Sequence, residues 1–271
     1  MLLCHYCDFS MPLPQTCPEC SGYTLSDIGL GTERVEEVVR SLFPKARVAR
    51  MDRDTTRKKG SHGRIIDAVE SGDVDILIGT KMIAKGHHFP RVTLVGIISG
   101  DTALHIPDFR GAERSFQMIT QAAGRSGRGS KPGRVVVQSY DPDNPCFNRA
   151  RRHDYEGFFN DELPLRKEVV YPPFTRLACI RVEGNREEQV VRAITEMKRT
   201  GEKATQRGID ILGPAPAFLA RLKGKHRWQM LIKGEKVRPL HAFLANVKAE
   251  FDRKKYQGVT LTIDVDPVEI S

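Results

Sequence analysis

The chain has 271 residues, with 43 Lys and Arg against 34 Asp and Glu, which gives a formal charge of +9. Its 39% hydrophobic and 28% charged residues suit one large or two ordinary folded domains and exclude a disordered chain. No apolar run is long enough to span a bilayer, and the opening lacks the pattern of a secretory signal, so a cytoplasmic address is expected. The positive balance makes nucleic acid the partner class to test, though charge alone does not establish it.

Four of the six cysteines fall in the first 20 residues, as two C-x-x-C pairs, Cys4 with Cys7 and Cys17 with Cys20. Two thiolates at that spacing can turn around one metal ion, and two such knuckles complete a tetrahedral zinc site with no open position for water. A structural zinc is therefore expected, rather than a disulfide pair or a redox motif. His5 and His62 read as polar histidines, and Cys179, within an apolar stretch, as a buried thiol.

Residues 32–43 show a helical apolar period with Thr32 as the expected N-cap, and a short strand follows over 46–51. A helix is expected over 63–70, a buried strand over 75–79 running into Thr80, and another strand over 91–98 that delivers Asp101. A helix over 112–123 and a strand over 134–139 complete an alternation that implies a parallel α/β sheet with helices on both faces. Ligands of such sheets gather beyond the carboxyl ends of the strands, at Thr80 and Asp101 onward. A polar helical stretch runs from Asn144 to Asn160. A boundary is expected between Leu163-Pro164 and Tyr171-Pro172-Pro173. Beyond it come strand 176–182, helix 186–207, strand 210–212, strand 227–233, helix 237–254 and strand 259–265. That β-α-β-β-α-β order predicts a small ferredoxin-like α+β domain. The expected domains are thus 1–25, a partial zinc-binding module; 26–162, an α/β lobe; and 163–271, the C-terminal α+β domain.

The segment from Gln121 to Arg128 reads Q-x-x-G-R-x-G-R. Two arginines three apart between glycines present two planar forks on a tight backbone, suited to gripping phosphate oxygens. Alone, such a segment is better read as a solvated basic loop. Here residues 79–90, GTKMIAKGHHFP, sit at the end of a buried strand where a loop can meet ligand. Together these segments resemble motifs VI and V of the superfamily 2 helicases. The match is closest to the replication-restart branch, the primosomal protein N′ or PriA family. Residues 29–34 (GLGTER), 51–54 (MDRD), 104–110 (LHIPDFR), 171–174 (YPPF), 213–217 (GPAPA), 227–229 (RWQ) and 263–267 (IDVDP) follow that family's pattern.

The resemblance implies a RecA-like second helicase lobe in a motor that clamps ATP and Mg2+ between two lobes. Arg125 and Arg128 match the arginines that reach the nucleotide phosphates, and Gln121 the glutamine that positions them. Gly86 matches the glycine that lets chain and nucleotide approach closely, and Thr80 the residue that holds the DNA backbone. His88 stands where many superfamily 2 proteins have Asp. Asp101 and Glu113 could couple the ATP and DNA sites, or serve equally as salt-bridge partners. The C-terminal domain resembles a module for DNA and single-stranded-DNA-binding protein, with Lys223, Lys225, Arg227, Trp228 and Gln229 as a basic, aromatic-bearing stretch. Trp228 reads equally as a core anchor of its strand. Branched and single-stranded DNA, single-stranded-DNA-binding protein and other primosome proteins are the implied partners.

No G-x-x-x-x-G-K-[ST] and no DExH box occurs in these 271 residues. The phosphate-cradling loop is therefore expected on a first lobe outside this sequence, and the chain alone is not expected to hydrolyse ATP. The family carries eight cysteines binding two zinc ions; the two pairs here match the last two, so one zinc or none is expected. The rival reading is a non-motor zinc-containing module that binds nucleic acid or protein.

Overall fold

The structure, a computed structural model, describes residues 31–52, 55–56, 60–80, 89, 91–124, 132–204 and 208–270, with short N-terminal pieces at 2–3, 10–11, 16 and 22. The N-terminal pieces include two paired strands, β1 (Leu2–Leu3) and β2 (Ser10–Met11). By their contacts the residues form two units. One holds Gly22–His105 and Ala112–Phe158; the other holds Ile106–Gly111 and Phe159–Ser271, with the described part of Met1–Ser21.

In the first unit, helix α1 (Thr32–Leu42) precedes strand β3 (Val48–Met51), and helix α2 (Ser61–Ser71) precedes strand β4 (Ile76–Gly79). Strands β3 and β4 pair in parallel, Val48 opposite Ile76 and Met51 opposite Gly79. Arg47 locks the entry to both strands. Its guanidinium donates to Asp75 at 2.8 and 3.0 Å, and that bond holds the Asp75 carboxyl down to about 2. Gly72 ends α2 in the left-handed region at φ 86°, where its N–H returns to the carbonyls of Ala68 and Val69. The N-cap of α1 is Gly31, not Thr32. The Thr32 hydroxyl instead donates to Asp52 at 2.7 Å, a tertiary bond that a local capping pattern cannot reveal.

A second parallel pair follows: β5 (Leu94–Ile97) beside β6 (Arg134–Val137). Between them lie a single 3-10 turn (Gly100–Ala103) and helix α3 (Gly111–Ala123). Helix α4 (Pro145–Arg151) begins at Asn144, whose side chain accepts from the Cys146 N–H, with proline in the first turn. Phe116, Ile119, Cys146, Phe147, Ala150 and Phe158 form the buried core of this half. The expectation of one parallel sheet is met only as two separate two-stranded pairs among the described residues.

The polar stretch after Asn144 is two helices. Helix α5 (Tyr155–Glu168) continues through Pro164 rather than stopping there. Strand β7 (Arg176–Gly184), helix α6 (Glu187–Ala204), strands β8 (Ile209–Leu222) and β9 (Lys225–Gly234), helix α7 (Val237–Lys254) and strand β10 (Val259–Val265) follow. The four strands are all antiparallel, in the order β10-β7-β9-β8. Strand alternation gives the sheet two different faces. Ala178, Ile180, Val182, Met230 and Ile232 pack with Val190, Ile194 and Met197 of α6 and Leu240, Phe243 and Val247 of α7. On the opposite face Leu177, Cys179 and Leu231 are covered by Ile270 and by Phe109 from the segment Ile106–Gly111.

That segment is anchored by several bonds. Phe109 stacks on Tyr171 at 5.0 Å, Arg110 donates to the carbonyl of Pro267 at 2.8 Å, and Asp108 accepts from the N–H of Ile270 at 3.2 Å. Lys233 lies 4.1 Å over the Tyr171 ring and donates to the Val169 carbonyl. Burial lowers the Lys233 ammonium below its ordinary value.

Candidate functional site

The expected motor residues divide into those the structure places and those it does not. Arg125, Arg128, Gly86 and His88 lie outside the described residues, as do Cys4, Cys7, Cys17 and Cys20. Thr80 directly follows β4 and is exposed; Gln121 sits in the last turn of α3 and is also exposed. Each therefore stands at an element end, where a backbone or side-chain group can meet solvent-borne ligand. Among the described residues no group of three or more His, Cys, Asp or Glu is arranged to hold a metal ion.

Asp101 is buried just past the end of β5, and its partners are now visible. Its carboxylate accepts from the Ser139 hydroxyl at 2.7 Å and the Tyr140 N–H at 3.0 Å, two groups just beyond β6. Burial raises its pKa, but these two bonds, with a local backbone bond and the His105 charge, together outweigh burial and leave the carboxyl below its usual value. Asp101 thus ties the outlets of the two parallel strands. Glu113 accepts from Gln117 at 3.3 Å along α3.

The Thr32–Asp52 bond joins two sequence patterns that were read separately. Asp52 also accepts from the Thr55 N–H at 2.9 Å and lies 3.3 Å from Arg50. The Thr55 bond, with the Thr32 and Thr55 hydroxyls and the Arg50 charge, brings the carboxyl to about 2 despite burial. Sequence reasoning missed this junction because its members lie twenty residues apart, with only their polarity to mark them.

In the C-terminal unit the stretch from Lys225 to Gln229 is divided by its own strand alternation. Lys223 and Gly224 form the two-residue turn between β8 and β9, both at positive φ, the geometry that suits a twisted hairpin. Trp228 is half-buried against the helix-side core, and its indole N–H donates to Glu187 at 3.1 Å. Lys225, Arg227 and Gln229 share the opposite face. Lys225 pairs with Glu183 at 2.7 Å, Arg227 is 9% exposed and Gln229 only 2%. Burial, then the neighbouring Arg181 charge, lowers the Arg227 guanidinium from its ordinary value. Cys179, on the same face, is pushed up to about 11 by burial and is no nucleophile at neutral pH.

A cavity of about 510 Å3 in the first unit, over Ile119, Val135, Val137 and Phe147 with Asn148 and Arg151 at its polar side, had no sequence signal. None of the expected site residues lines it.

With these positions fixed, likeness to known proteins can be set beside them. Residues 29–130 match the family model described as "Helicase conserved C-terminal domain". Residues 167–268 match "Primosomal protein N C-terminal domain". A "Replication restart protein PriA" from Bacillus subtilis is 44% identical over 98% of the chain. The chain belongs to the PriA family. Proteins of the same name from Synechocystis and Haemophilus influenzae are 39% and 37% identical over the whole chain. The chain spans about a third of the length of these relatives, covering 33%, 32% and 37% of them. The helicase match contains the first α/β unit's Thr80, Asp101 and Gln121, whereas the primosomal match contains all four strands of the C-terminal sheet.

Proposed function

We propose that this chain supplies the second motor lobe and the C-terminal domain of an ATP-dependent 3′→5′ DNA helicase. In that reading the whole protein recognises stalled or branched replication forks and initiates primosome assembly. The observation that carries it is the order of the two family matches, a helicase C-terminal domain followed by a primosomal C-terminal domain in one chain. The parallel strand pairs support a RecA-like lobe. The antiparallel order β10-β7-β9-β8 with two helices on one face supports a ferredoxin-like C-terminal domain.

In this reading Arg125 and Arg128 grip nucleotide phosphates and oppose charge on the transferred phosphoryl group, with Gln121 positioning them from the end of α3. Gly86 lets the backbone approach the nucleotide, and Thr80 holds the DNA backbone beyond β4. ATP and Mg2+ are held mainly by a first lobe, so the chain alone is inactive. Cys4, Cys7, Cys17 and Cys20 are proposed as zinc ligands, since four thiolates at knuckle spacing suit that ion. The C-terminal domain, through Lys225, Arg227 and Gln229 with Trp228 on the other face, is proposed to meet single-stranded DNA, single-stranded-DNA-binding protein or other primosome proteins, in the cytoplasm.

The test is Arg128→Ala in the full-length protein. DNA-stimulated ATP hydrolysis should fall by about 10³-fold, the usual effect of losing an arginine finger. Retained hydrolysis would sink the arginine assignment and favour the binding-module reading.

A further inference from the structure

The face of the C-terminal sheet turned away from α6 and α7 carries an imbalance of charge that the fold does not resolve. Register places Arg181 opposite Gln229 and Glu183 opposite Arg227, so the two arginines are diagonal neighbours on one face. The nearest acid is committed elsewhere: Glu183 accepts from Lys225 at 2.7 Å. Asp264, two strand positions along β10, makes no ion pair with either arginine. Arg227 has one long bond, from Nη1 to the Leu219 carbonyl at 3.3 Å. The Nε of Arg181 and the Oε1 of Gln229 are buried with no hydrogen-bond partner. Gln229 is 2% exposed, so its orphaned acceptor is a cost that water at the surface does not relieve.

Glu183 acts on Arg227 from across the strand, but one carboxylate shared with Lys225 leaves these cations in excess, and planar forks with free N–H groups hold an oxyanion through paired bonds. The Gln229 Oε1 beside them demands a donor. A phosphodiester has only acceptors there. A phosphate monoester, titrating near pH 6, still carries a P–OH in its singly charged form and offers both. Arg181 is only half-buried, so an anion can reach the pair. We propose that Arg181, Arg227 and Gln229 form a binding site for a phosphate monoester or inorganic phosphate. Arg181 and Arg227 take the charged oxygens, and Gln229 accepts from the protonated one. The site is independent of the motor reading, because inorganic phosphate reports on it without ATP or DNA.

The experiment follows thermal unfolding of the chain in phosphate and in chloride at equal ionic strength, pH 6.5. Phosphate should raise the melting transition of the C-terminal unit of the wild type beyond chloride, and titration should saturate. Arg181→Gln should weaken phosphate binding at least about tenfold, while in chloride it melts no lower than the wild type because a like-charge contact is gone. Gln229→Glu places the missing anion in the site from within, so it should melt higher in chloride and lose its response to phosphate. Equal stabilisation of the wild type and both variants by phosphate, or no stabilisation of the wild type, would overturn the site. So would a markedly lower melting temperature of both variants in chloride. Two single strands of one sequence, with a 5′-phosphate and with a 5′-hydroxyl, then identify the source. Preferential displacement of phosphate by the phosphorylated strand assigns a strand end, and equal displacement assigns the free anion.

Discussion

One carboxylate, Asp52, ties helix α1 to the segment that leaves β3, through Thr32 and Thr55. Its pKa lies near 2 against an ordinary 3.8. A carboxyl lowered by folding adds stability that is complete above the unfolded value and is lost as pH falls through the folded value. Asp52→Asn should therefore cost about 2 kcal/mol at pH 7, with the difference from wild type shrinking between about pH 4 and pH 2. Urea unfolding at several pH values checks this, and a pH-independent difference would show that lost bonds, not charge, are responsible. Trp228 and Gln229 make the complementary point. They are adjacent in sequence, yet one packs into the helix-side core and the other joins the charged face. A basic aromatic stretch on a strand is therefore two half-sites, and the backbone decides which neighbours each residue keeps.

At the scale of elements, periodicity located every helix and strand between Arg176 and Val265, because the strands alternate cleanly and the helices carry wide apolar stripes. Ends were less legible. A strand expected to stop at Leu212 runs on to Leu222, with shifts of register between Leu212 and Ala215 and between Pro216 and Arg221. Gly213 and Pro214 read as a breaker in sequence, but here they bend a strand without ending it, a device of β-bulges. Gly213 has φ 96°, and a Cβ there would sit 3.1 Å from the Gln229 carbonyl oxygen. Gly213→Ala should cost about 1–3 kcal/mol by strain and close contact, read from urea unfolding; unchanged stability would mean that the bulge can relax. The residues proposed for the motor stand out as motif letters because their spacing is local. The Thr32–Asp52 and Asp101–Ser139 bonds do not, since each links residues 20 and 38 apart that no short pattern connects.

Across the whole molecule, the two units have separate cores, one around Phe116 and Phe158 and the other on the four-stranded sheet. Two cooperative transitions are expected on heating or in urea. Phe116→Ala should lower the transition of the first unit by about 3–5 kcal/mol and leave the second unmoved. Phe109→Ala should do the reverse, although its position in sequence lies inside the first unit's span. Calorimetry of both variants checks the pairing, and a shift of the first transition by Phe109→Ala would refute it.

The placement of Phe109 also limits how this architecture can be inherited or engineered. The C-terminal sheet is continuous from Arg176, yet part of its cover comes from Ile106–Gly111, upstream of two helices and a strand of the other unit. A gene fragment beginning at Phe159 would encode every strand and still lack the ring that stacks on Tyr171. Such a fragment is not a transplantable cassette unless a peptide with the sequence of Ile106–Gly111 is supplied in trans.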